Sequence, residues 1–109
     1  MSQVTIETPE FVSFLAGCQK LIDEHMAKSF PNYPANMLPT LSVEVGKRYI
    51  RIVKSDAAQR SAWGFIDTTN GDVLKAAGWK TPAKHARGNV FDASNGLKLI
   101  GPYGPAYLR

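Results

Sequence analysis

The chain has 109 residues, 44% hydrophobic and 20% charged, which suits one soluble globular domain with a single modest core. No apolar run approaches the ~20 residues of a membrane span, no basic and apolar leader opens the sequence, and the lone Cys18 excludes an internal disulfide and multi-cysteine zinc sites. The net charge of +4 is uneven: residues 1–40 hold two lysines against four carboxylates, and residues 41–109 hold eleven Lys and Arg against five, a basic region suited to an anionic partner.

Thr8-Pro9-Glu10 reads as a helix start, with a capping hydroxyl, a proline where its missing N–H costs nothing, and an acid at the positive end. Phe11, Phe14, Leu15, Cys18, Leu21, Ile22 and Met26 follow at helical spacing. The pattern predicts one amphipathic helix over residues 9–28, with a stripe that needs a sheet to cover it. Cys18 lies in that stripe and reads as a buried structural thiol. His25, after Asp23 and Glu24, reads as a dipole or charge partner. The prolines at 31, 34 and 39 stop the helix and predict an extended connector.

The stretch LSVEVGKRYIRIV, residues 41–53, predicts a hairpin. With Gly46-Lys47 as its two-residue turn, Val45 faces Arg48, Val43 faces Ile50 and Leu41 faces Ile52. Leu41, Val43, Ile50 and Ile52 then share the core face, and Ser42, Glu44, Tyr49 and Arg51 the other. A polar loop over residues 54–60 leads to a third strand, SAWGFID, in which Gly64 marks a bulge or a close approach. The turn Thr68-Thr69-Asn70-Gly71 leads to a fourth strand, DVLKAA. Beyond Ala77 the pattern becomes irregular. The sum is a single α+β domain over residues 1–109: a helix on about four antiparallel strands spanning 41–77, then an irregular basic loop and tail over 78–109.

No motif for a nucleophilic, metal-dependent or phosphate-loop enzyme is present, and the pattern predicts a non-catalytic protein without a cofactor or metal. An anion-binding surface is better supplied. Lys75, Lys80, Lys84, His85 and Arg87 lie between Asp72 and Asp92 with no acid among them. Pro82 stiffens that segment, which can aim cations at phosphate. Arg51 adds charge from the hairpin, as do Arg48 and Lys54. Tyr49 and Trp79, together with Trp63 and Tyr103, offer flat faces on which bases can stack. The competing readings are a basic loop that is only solvated and tryptophans that only fill the core.

Residues 63–92, WGFIDTTNGDVLKAAGWKTPAKHARGNVFD, resemble a family of small proteins encoded by tailed bacteriophages. The resemblance rests on Trp63-x-Phe65-x-Asp67, the Gly71-Asp72 turn, Leu74-Lys75-x-Ala77, and the block Trp79-Lys80-x-Pro82-Ala83-Lys84-His85-x-Arg87-Gly88-Asn89. The closing GPYGPAYLR is similar too, whereas the first 40 residues carry no comparable match. The resemblance implies a phage protein at work in the cytoplasm of an infected bacterium, and it implies no activity. The expected role is binding of single-stranded DNA or RNA through Arg51, Lys75, Lys80, Lys84, His85 and Arg87, with stacking on Tyr49 and Trp79. The alternatives are a counter-defence protein that sequesters a nucleotide signal or blocks a host protein, and a structural virion component. A homo-oligomer is open, and no membrane partner is expected.

Overall fold

A computed structural model describes residues 4–34, 37–56, 59–101 and 104–105. The helix α1 spans Pro9–Ser29, with proline in its first turn and Glu10 beside it. Thr8 holds the N-cap position, but its hydroxyl does not cap the helix; it accepts the Thr5 N–H at 2.8 Å instead. Phe11, Phe14, Cys18, Ile22 and Met26 form the buried stripe. Burial pushes the Cys18 thiol pKa well up, so it stays protonated and inert.

Five strands follow: β1 (Thr40–Val45), β2 (Tyr49–Asp56), β3 (Gln59–Asp67), β4 (Asp72–Ala76) and β5 (Pro82–Asn89). They form one antiparallel meander in the order β1-β2-β3-β4-β5, so the chain is an α+β domain with five strands in this sheet where four were expected. A separate short ribbon pairs β6 (Ile100–Gly101) with β7 (Gly104–Pro105). The helix stripe joins Ile50, Ile52, Trp63, Ile66, Val73 and Val90 in one apolar cluster, with Leu41 and Val43 packed at its margin.

The first hairpin keeps its predicted faces but shifts its register. Val45 pairs with Ile50, Val43 with Ile52 and Leu41 with Lys54, and the turn is Lys47-Arg48. Moving a two-residue turn by one position moves every partner by two, which preserves the side-chain alternation. Hydrophobic pattern is therefore blind to this shift. The true register sets Glu44 directly opposite Arg51. The polar loop expected at 54–60 is mostly strand, with Asp56 paired to Gln59. The connector after the helix makes turns, with the Tyr33 N–H donating to the Phe30 carbonyl at 3.0 Å.

A bulge does lie at Gly64. Ile52 pairs with Gly64 and Val53 with Ala62, which leaves Trp63 as the extra residue. Strict alternation would place Trp63 on the face away from the helix; the bulge lets its indole join the helix-side cluster. Residues 82–89, expected to be irregular, are the edge strand β5. It opens on Pro82 and shifts register twice against β4, so its sequence PAKHARGN lacks the alternation that marks a regular strand. Beyond it, the Asn95 side-chain amide donates to the Glu10 and Val90 carbonyls, which ties the last loop to the start of α1.

Candidate functional site

The sheet face away from α1 carries Glu44 from β1, Tyr49, Arg51 and Val53 from β2, Phe65 from β3 and Leu74 from β4, as the registers require. Val53, Phe65 and Leu74 are buried, yet none belongs to the helix-side cluster. The β4–β5 connection lies over this face. Its base is closed by the Ala77 and Gly78 N–H groups, which donate to the Thr81 carbonyl at 2.9 and 3.1 Å. Its tip reaches two strands across the sheet, where Arg51 Nε donates to the Trp79 carbonyl at 2.8 Å.

Trp79 and two arginines form the centre of the face. The Arg51 guanidinium lies 4.6 Å from the centroid of the Trp79 ring, and that of Arg60 lies 5.6 Å from it. Both arginines converge on Glu44: Arg51 Nη1 donates to Oε1 at 2.5 Å and Arg60 Nη2 to Oε2 at 2.8 Å. Those hydrogen bonds, from Arg60 and then Arg51, hold the Glu44 carboxyl pKa below its usual range. Beside them, Arg48 lies over the Tyr49 ring at 5.3 Å and pairs with Asp67 at 3.3 Å. The edge of Tyr49 meets Phe65 at 6.2 Å between ring centroids.

Beside Trp79 and Arg60 lies a shallow pocket of about 230 Å³, lined by Glu44, Arg48, Tyr49, Arg51, Phe65 and Lys80, with Lys47 at the hairpin turn. Five cations, at positions 47, 48, 51, 60 and 80, stand against two carboxylates, Glu44 and Asp67. Such a surface can hold phosphate through the cations and a planar ring through Trp79 or Tyr49.

The structure therefore divides the expected site. Tyr49, Arg51 and Lys80 line the pocket and Trp79 stacks on Arg51 beside it, whereas Lys75, Lys84, His85 and Arg87 do not line it. Lys75 pairs with Gly64 in the register, which gives it the parity of the helix-facing residues. Lys84 and His85 are exposed on the bulged part of β5. Arg87 is buried, and its Nη1 donates to the His85 carbonyl. Trp63 fills the helix-side core, Lys54 has the same inward parity as Leu41, and Tyr103 lies outside the described residues. Glu44, Lys47 and Arg60 were missed as site residues. The usable signal for Glu44 was its position opposite Arg51, hidden by the misplaced turn.

Among the described residues, no group of three or more His, Cys, Asp or Glu side chains could hold a metal ion. Among the same residues, no helix is long and apolar enough to cross a membrane. Residues 7–102 match the profile of a family of unknown function, DUF7717, and the chain belongs to that family. No curated protein and no solved structure matches the chain.

Proposed function

We propose that the helix-free face of the sheet binds single-stranded nucleic acid and does no chemistry on it. The observation that carries this reading is the convergence of two segments, β2 and the β4–β5 connection, on one face: Tyr49, Arg51 and Lys80 line one pocket, and the Trp79 ring lies against Arg51 beside it. Base stacking on an aromatic ring contributes about 1–3 kcal/mol per base and tolerates any sequence, and the surrounding cations track the backbone. The likeness of residues 63–92 to small tailed-phage proteins supports a setting in the cytoplasm of an infected bacterium.

Lys80 is the cleanest probe, because it is exposed and lines the pocket without carrying the fold. Fluorescence anisotropy with labelled oligothymidylate of twelve nucleotides is the assay. Lys80→Ala is expected to weaken binding severalfold and to lower the slope of log affinity against log salt by about 0.7, the value of one single-strand phosphate contact. Lys84→Ala, away from the pocket, is expected to change neither. The opposite pattern, with Lys84 mattering and Lys80 not, would move the interface to β5. Tight binding of a mononucleotide with none of the oligomer would instead favour nucleotide sequestration.

A further inference from the structure

The Arg51–Glu44–Arg60 arrangement does more than add charge to the face. Each oxygen of the Glu44 carboxylate accepts from a different guanidinium, and both guanidiniums lie against the ring of Trp79. A carboxylate held this way presents two acceptor oxygens to two arginine edges. A phosphodiester presents the same thing with its two non-bridging oxygens. We propose that Arg51 and Arg60 form the phosphate subsite of this face, and that Glu44 occupies it in the free protein and is displaced by a backbone phosphate of the ligand. The proposal rests on the reading of this face as one that binds phosphate.

Three features make the exchange physically sound. The Glu44 side chain is 40% exposed on the edge strand β1, so it can swing into water without crossing packed atoms. The Glu44–Arg60 pair, with Arg60 53% exposed, contributes little to stability, because its charges are well solvated when apart. Arg51 has a second anchor besides Glu44, since its Nε donates to the Trp79 carbonyl at 2.8 Å and its guanidinium carbon lies 4.6 Å from the indole centroid. The arginine edge thus stays aimed at the subsite after Glu44 leaves, and a phosphate meets donors already in place. One carboxylate replaced by one phosphodiester leaves the local charge balance of the arginine pair unchanged. Lys80, Arg48 and Lys47 around the adjoining pocket remain for neighbouring phosphates.

The test uses Glu44→Gln in the full chain, with inorganic pyrophosphate and oligothymidylate of twelve nucleotides as probes. Removing the competing charge is expected to tighten binding of both about three- to tenfold, with Arg60→Ala cancelling the gain in the double variant. In the wild-type protein, pyrophosphate is expected to shift the Arg51 and Arg60 Nε–H resonances and to return the Glu44 carboxylate signal to its solvent-exposed value. That second reading holds even where Glu44→Gln fails to fold. Oligonucleotide binding that Glu44→Gln leaves unchanged or weakens, or arginine resonances that stay still, would overturn the subsite while leaving the nucleic-acid reading intact. A gain for pyrophosphate with no oligonucleotide binding by either protein would support the subsite and overturn that reading. No binding of either probe by either protein would overturn both.

Discussion

Under α1, the sheet meets the helix through Ile50, Ile52, Ile66 and Val73, an apolar contact with one polar link at its margin. On the opposite face, Val53, Phe65 and Leu74 are nearly as deeply buried, but around them stand Trp79, Arg51, Tyr49 and charged side chains. The same alternating strands supply both faces. One is closed by a helix with a continuous apolar stripe, the other by a short loop carrying one large aromatic ring. A helix stripe excludes water along its whole length and makes a core; a loop tip covers a few side chains and leaves the rest of its face open to a ligand. Stability is expected to reside on the first face and binding on the second.

The largest effect should come from breaking the helix side. Phe14 is fully buried in the stripe, and Phe14→Ala is expected to cost about 3–5 kcal/mol in urea unfolding through lost burial and the cavity left behind. Gln19 tests the link between the layers. Its side-chain amide donates to the Pro39 carbonyl at 3.1 Å, and its oxygen accepts the Leu41 N–H at 2.8 Å. Gln19→Ala should cost about 1–2 kcal/mol by the same measurement, because two backbone groups at the start of β1 lose their partner.

Trp79→Ala sharpens the contrast from the other side. At 39% exposure the ring contributes less to folding, so the expected loss of stability is about 1 kcal/mol, against a loss of oligonucleotide affinity of about tenfold or more. A stability loss equal to that of Phe14→Ala would make the far face a second core and break the comparison. The smallest effect is a pH dependence at the hairpin end. Burial alone would raise the Asp67 pKa, but hydrogen bonds from the Thr69 hydroxyl and amide and from Arg48 outweigh it and hold the carboxyl below its usual range. A lowered folded-state pKa means stability present above the unfolded value near pH 4 and lost as pH falls through the folded one. Asp67→Asn should therefore flatten the acid limb of a melting-temperature profile and leave the limb above pH 6 unchanged in shape.

The helix-covered face was legible in the sequence because its information is local. Phe11, Phe14, Cys18, Ile22 and Met26 declare a stripe by spacing alone, and Val43 and Ile50 declare their side of the sheet by alternation. Gly64 signalled its bulge for the same reason. The far face was legible only in part. Tyr49 and Arg51 followed from strand parity, but the approach of Trp79 to Arg51 depends on a loop folding back across an intervening strand. No periodicity records such a contact. The acid-free run from Lys75 to Arg87 looked like one basic patch in one dimension. In three dimensions the bulged pairing of β5 sends Arg87 inward and separates Lys84 and His85 from Lys80. Charge clustering along a chain becomes a surface only when the backbone keeps its members together.

The account turns on which face meets the ligand, and mapping chemical shifts of isotopically labelled protein during titration with oligothymidylate tests that directly. It predicts shifts concentrated at Glu44, Tyr49, Arg51, the Trp79 indole N–H and Lys80, with the Trp63 indole, α1 and residues 84–85 essentially still. Shifts confined to α1 or to Lys84 and His85, or none at concentrations that bind the oligonucleotide, would contradict it.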